Sequence, residues 1–226
     1  HLVDGCQAVF AQNFGYSHNL VINGTSAASG TGYVTGTFDG LKKILSGSDT
    51  EYTSAVDIST SALMDSNYNA YLDELDGFIS KLAEKPDILL MNNELLTKTR
   101  AAARRAGFYE RSVDGFGRTV EKYNGIPMMD VGQYYNGTKT VDVIETTTPS
   151  ATAYGETAIY AAKLGLNAFH GISVDGSKMV HTYLPDLNAP GAVKKGEVEM
   201  LAGAVLKNSK MAGVLKGIKV KPKTAG

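Results

Sequence analysis

The chain has little of what metal chemistry, disulfide cross-linking or membrane insertion requires. One cysteine, Cys6, in 226 residues excludes an internal disulfide framework and suits a reducing compartment. The four histidines, His1, His18, His170 and His181, are scattered. None has a partner four residues away, the spacing that sets two metal ligands on one helix face. The longest mostly apolar runs, such as Ile88-Leu89-Leu90-Met91, fall far short of the roughly 20 residues that cross a bilayer. An excess of one charge is lacking too. Lys and Arg number 22 against 23 Asp and Glu, a net charge of -1, so no global basic field holds a phosphate backbone. Nucleic acid is at most a weak direct partner.

What is present is an ordinary globular composition, 43% hydrophobic and 20% charged, far from the signature of disorder. A chain of this size can bury roughly 70–75% of its unfolded surface, enough for one large domain or two modest ones. Asn23-Gly-Thr and Asn136-Gly-Thr match a glycosylation sequon, but among 25 glycines Asn-Gly reads as turn chemistry. The chain opens on His1 inside an amphipathic pattern, with no charged-then-apolar signal segment before it, and this reads as a cut end.

Leu2, Val3, Cys6, Val9, Phe10 and Phe14 recur at spacings of three and four and predict a helix ended by Gly15. Leu20-Val21-Ile22 then leads into a Gly-, Ser- and Thr-rich loop through Gly36, and a short helix is expected over 38–45. The clearest helix is predicted from Tyr68 to Lys85, with Asp73, Glu74 and Asp76 near its start and Pro86 stopping it. A buried strand over 87–91 follows. Asn92 or Asn93 caps a helix from Glu94 to Ala106, with Gly107 just past its end.

Beyond Arg118 the period shortens to two. Thr119–Tyr123, Asn124-Gly125 and Ile126–Val131 predict a hairpin, with Pro127 placing the second strand near an edge or bulge. Further strands are expected at 141–145, 158–164 and 169–174, the last turning at Asp175-Gly176 into 178–184. Glu197–Leu206 alternates as one strand, and Ser209–Leu215 reads as a closing helix. Helices and strands neither alternate regularly nor segregate, so the predicted class is α+β.

Catalytic patterns do not complete themselves. Gly30-Thr-Gly32-Tyr-Val-Thr-Gly36 comes near the dinucleotide fingerprint, but its last glycine is one residue late and no parallel βαβ unit frames it. No phosphate-binding GxxxxGK[ST] loop occurs. The best nucleophile is Ser173, flanked by His170 and His181, but Asp175 stands where a nucleophile elbow needs glycine, so a strand entering a turn is the simpler reading. Cys6 lies on an apolar face, where thiols are usually inert. Asp114-Gly-Phe-Gly lacks the context of a kinase motif. Arg100, Arg104, Arg105, Arg111 and Arg118 form a basic run that complements a helix dipole and solvates a surface. No catalytic, cofactor-binding or metal-ligating residue is assigned, and no cofactor is expected.

Two stretches resemble something specific. Asp87-Ile-Leu-Leu-Met-Asn-Asn-Glu-Leu-Leu-Thr-Lys-Thr-Arg100 continues through Ala106-Gly107 to Asp114-Gly-Phe-Gly-Arg118 and Tyr123-Asn-Gly-Ile-Pro-Met-Met129. It is similar to the middle of major capsid proteins of tailed bacteriophages, where an LMN strand, a helix and a GIP strand recur in this order. The stretch from Glu197 to Lys216-Gly-Ile218 resembles that family's last long strand and closing segment, and Ile159-Tyr-Ala-Ala-Lys-Leu-Gly165 its strand after the variable loop.

The resemblance implies the Hong Kong 97 type fold, shared with encapsulins: a spine helix plus an axial domain whose central mixed sheet is flanked by helices. It implies a peripheral domain from 1–49 and 196–226 and an axial domain from 50–195, with the family's N-terminal arm and extended loop absent from this chain. The implied function is a structural, non-enzymatic subunit of an icosahedral bacteriophage or prophage capsid, assembled in the bacterial cytoplasm and enclosing the genome. The implied partners are copies of itself, scaffold, portal or decoration proteins, and packaged DNA in weak non-specific contact, with no membrane. The alternatives are an encapsulin-like nanocompartment, a hydrolase using Ser173, His170 and His181, and a small sugar-binding module.

Overall fold

The computed structural model describes residues 18–107, 110–113, 119–136, 138–147, 153–173, 180–183, 191 and 196–223. The expected opening helix up to Gly15, Cys6, His1, the Asp114 run, Arg118 and the Asp175-Gly176 turn lie outside the described residues. Residues 18–23 are helical (α1), so Leu20-Val21-Ile22 continue a helix where a lead into a loop was expected, and Ile22 is buried. The chain then forms α2 (Leu41–Leu45), α3 (Ser61–Ser80) and α4 (Asn93–Ala106).

A seven-stranded mixed sheet organises these helices. Its order is β1 (Glu51–Thr53), β13 (Ala212–Lys221), β8 (Gly155–Ala162), β2 (Ile88–Met91), β5 (Ile126–Asp130), β4 (Thr119–Tyr123) and β3 (Glu110–Val113). β1 runs parallel to β13 and β2 parallel to β5, while the other pairs are antiparallel. Three two-stranded ribbons accompany it: β6 (Gln133–Tyr135) with β7 (Thr140–Asp142), β9 (Phe169–Ile172) with β12 (Gly203–Leu206), and β10 (Val180–Tyr183) with β11 (Glu197–Met200).

The sheet separates two cores because side chains alternate across it. Leu89 and Met91 of β2, with Ile159 and Ala161 of β8, face Tyr71, Leu75, Phe78 and Leu95 of α3 and α4. Ile88 and Leu90, with Tyr160 and Ala162, face the opposite way toward Ile22, Leu41, Leu45, Val143 and Phe169. Each fully buried large apolar side chain contributes about 1.5–3 kcal/mol relative to exposure.

Several expectations are corrected. α3 begins at Ser61, seven residues earlier than predicted, because the Thr60 hydroxyl caps it by accepting from the Leu63 N–H at 3.2 Å. Its last helical residue is Ser80, and Asp73, Glu74 and Asp76 sit inside the helix. The closing helix is absent: Ser209–Met211 is a single 3₁₀ turn and Ala212–Lys221 is a strand. Pairing on both sides overrides the local pattern there. Glu197–Leu206 is two strands broken at 201–202, and β9 and β10 pair with β12 and β11 instead of each other. β5 is internal to the sheet, and Pro127 is tolerated one residue before pairing with β2 begins at Met128. Residues 212–221 are hydrogen-bonded between β1 and β8.

Two glycines make β13 possible. Gly217, at φ 74°, is the extra residue between Leu215 and Ile218, which pair with Ile159 and Thr157. This bulge restores the parity of the strand, so that Leu215, Ile218 and Val220 all reach the helical core. At Gly213 a Cβ would lie 2.9 Å from Leu82 Cδ2 and 3.0 Å from Phe78 Cε2 of α3, so only glycine lets these side chains lie this close.

The predicted cap of α4 holds and does more than cap. The buried Asn92 Oδ1 accepts from the Leu95 N–H at 2.9 Å. Its Nδ2 donates to the Ile144 carbonyl at 2.9 Å and to the Thr146 and Thr157 hydroxyls at 3.0 Å. One side chain therefore fixes a helix start, a sheet strand and the 144–146 segment. Asn92→Ala should lower stability by about 2–4 kcal/mol, a lost cap together with orphaned buried acceptors. The same change at exposed Asn93 should be near neutral in the same urea titration.

Candidate assembly surface

Among the described residues, β9 with β12 and β10 with β11 form separate two-stranded ribbons outside the seven-stranded sheet. A two-stranded ribbon is marginally stable in isolation, so its side chains need another surface. At the base, Phe169, Ala204 and Leu206 provide it by packing into the second core. Farther along, Ile172, Tyr183 and Leu201 remain about half exposed. Of seven exposed large hydrophobic residues among the described ones, five fall between Leu164 and Leu201. The other two, Met129 and Tyr135, lie on β5 and the β6–β7 ribbon. Those five lie on the turn after β8, on the two ribbons and on the link between β11 and β12.

The turn from β8 into β9 is the sharpest part of this surface. Leu164 and Leu166 project from it, Leu166 at 76% exposure. The backbone beneath them is fixed. Gly165 N–H donates to the Phe169 carbonyl at 3.1 Å, Ala168 N–H to Gly165 at 2.9 Å and Phe169 N–H to Lys163 at 3.1 Å. Asp87, just before β2, completes the clamp by accepting from the Leu164 N–H and the Lys163 ammonium, each at 3.0 Å. The Leu164 N–H and then the Lys163 side chain hold the Asp87 carboxyl below its ordinary value of 3.8.

A cleft of about 470 Å³ opens on the second face of the sheet, above β1, β13 and β8. Ala158, Tyr160 and Val214 form its floor, with Tyr33, Val34 and Lys42 on one wall and Tyr134, Val143 and Glu145 on another. Lys216 donates to Glu51 at 2.7 Å across the floor. That bond and the Gly47 N–H draw the Glu51 carboxyl below its ordinary value. Lys42 donates to the Gly32 carbonyl at 2.7 Å and stands 5.0 Å from the Tyr33 ring centre. Burial lowers its pKa, opposed by the charge of Glu145. Burial also raises the Tyr160 hydroxyl above its ordinary value.

The residues singled out from sequence do not form a catalytic group here. Ser173 Oγ donates to the Leu201 carbonyl at 2.8 Å and is bonded to neither histidine. His170 Nδ1 lies 3.4 Å from the Ala168 carbonyl, and His181 stands opposite Glu199 on the other ribbon. Among the described residues no three His, Cys, Asp or Glu side chains gather as metal ligands, and no helix is long and apolar enough to cross a membrane. Within the basic run, Arg100 pairs with Glu121 at 2.9 Å and Arg105 with Asp65 at 2.6 Å.

No protein-family model and no curated protein matches the sequence. Solved structures do. A chain of the holo-SrpI encapsulin complex of Synechococcus elongatus PCC 7942 superposes with a TM-score of 0.64 at 13% identity, over 94% of this chain and 64% of that one. The fold is the one an encapsulin chain adopts. A protein of an E. coli CFT073 prophage, assigned as its capsid protein, aligns over 94% of this chain and 63% of its own at 12% identity, with a TM-score of 0.49. This chain therefore spans less than two thirds of the length of either.

Sequence reasoning missed the leucine turn and the cleft. Two leucines around Gly165, in a segment too short for a helix, were the available signal for the turn. Because Asp87 has a lowered pKa, its clamp is present above 3.8 and is lost as pH falls through the folded value. Amide exchange at Leu164, taken relative to its intrinsic rate at each pH, should therefore accelerate on acidification through that range. In Asp87→Ala it should be fast at every pH, and a Leu164 amide equally protected in the variant would disprove the clamp.

Proposed function

We propose that the chain is a structural subunit of a closed protein shell of the Hong Kong 97 type, and that its contribution is self-assembly and not catalysis. The observation that carries this reading is the encapsulin-like fold combined with apolar ribbons left uncovered in the single chain. Obligate interfaces commonly bury roughly 2,000–5,000 Å² or more, and the exposed ribbon residues are what such burial would use. Near-balanced charge suits a wall whose subunits pack side by side without mutual repulsion.

In its fuller form the reading makes the shell an icosahedral capsid of a tailed bacteriophage or prophage. It would assemble in the bacterial cytoplasm around a genome it touches only weakly, with scaffold, portal or decoration proteins as further partners. The two stretches resembling major capsid proteins support this form. The axial domain would be the 50–195 segment, and the peripheral domain would be 1–49 with 196–226. A second reading, an encapsulin-like nanocompartment loaded with protein cargo, is favoured by the superposition on the SrpI encapsulin chain.

Expression in bacteria from the full natural reading frame should give closed particles in negative-stain micrographs. Nuclease-protected DNA inside them supports the capsid form, and a co-purifying enzyme without nucleic acid supports the nanocompartment. A protein that remains monomeric at high concentration would overturn both.

A further inference from the structure

We propose that the leucine turn between β8 and β9 docks into the sheet-face cleft of a second copy of this chain, forming a head-to-tail contact. The inference rests on the shell reading and names the two surfaces that meet. Leu164 and Leu166 stand on a backbone fixed by Asp87 and by the turn's own hydrogen bonds, so little ordering cost remains when they are buried. Burying exposed leucine side chains removes apolar surface from water, the dominant favourable term in most protein–protein association. The cleft is large enough for two leucine side chains and has an apolar strip, Ala158 and Val214, along its floor.

Charge selects the pairing. Lys207 and Lys210 are exposed beside the turn, where the Lys207 N–H bonds the Ala168 carbonyl, and neither forms an ion pair among the described residues. Lys163 on the turn is satisfied by Asp87 and Glu84. The cleft has two lysines against three glutamates. Lys216 is paired with Glu51, Lys42 lies in the field of Glu145, and Glu156 has no ion-pair partner among the described residues, which leaves the cleft one net negative charge. A cationic rim around an apolar knob thus faces an anionic rim around an apolar floor. Because knob and cleft are different surfaces of the same chain, the contact is heterologous, the type that closes subunits into rings.

The test uses the full protein in a Cys6→Ser background, with Leu166→Cys in one version and Ala158→Cys in another, the two co-assembled and then oxidised. The docking requires a disulfide between positions 158 and 166 of different chains, identified by peptide mass spectrometry. Glu145→Cys on the exposed rim replaces Ala158→Cys if the latter fails to fold. Lys207→Glu should raise the concentration needed for assembly about tenfold, and adding Glu156→Lys should restore it. Particles that form without this disulfide and ignore both charge changes overturn the docking and leave the shell reading standing. Failure of the unmodified chain to assemble overturns the shell reading and the docking with it.

Discussion

Ala212–Lys221 is hydrogen-bonded along both sides, parallel to β1 and antiparallel to β8, and the separation of the two cores depends on what happens within it at Gly217. A strand of this length with strict alternation would send Leu215 to one face and Ile218 to the other. The bulge at Gly217 places both against α3 and α4 while Lys216 stays on the cleft side, beside Glu51. Gly213 adds the second requirement by allowing Leu82 and Phe78 to approach the backbone. Without these two glycines the sheet could not pack closely on its helices and still keep Lys216 on its other face.

From that strand the exposed features follow in order. β13 holds β8, β8 holds β2, and Asp87 at the entry to β2 reaches across to the turn that leaves β8. The leucine turn is therefore anchored to the centre of the sheet and not to a surface loop. The ribbons begin directly after it, with Phe169 and Leu206 seated in the second core and Ile172 and Leu201 outside it. Rigid near the sheet and uncovered away from it, this region has the organisation expected of a contact element. Asn92 serves the opposite face of the account by tying α4 and the 144–146 segment to the strands that border the cleft.

Much of the middle of the chain was legible because local and tertiary preferences agree there. Asn92 capped α4, Gly107 followed it at φ 82°, and Asn124-Gly125 made the hairpin, all through chemistry confined to a few residues. The failures fall where distant pairing decides. Ser209–Leu215 has a helical spacing of apolar residues, but two flanking strands claimed its backbone. Over residues 61–67 of α3 only Met64 is buried, so the packing of this end of the helix left little trace in the pattern. The exposed leucine turn was the least legible part, since its signal is exposure, which a sequence does not report. Leu166 resembles any core leucine until the turn around it is known.

In the proposed shell, the exposed apolar residues of the ribbons and the leucine turn are covered by other copies of the same chain. Hydrogen–deuterium exchange of assembled particles against the dissociated subunit tests it most directly. The account requires strong new protection across residues 163–172 and 197–206 on assembly, with little change in α3, which is already buried against its own sheet. Unchanged exchange across both ribbon segments, with protection gained only elsewhere, would contradict it.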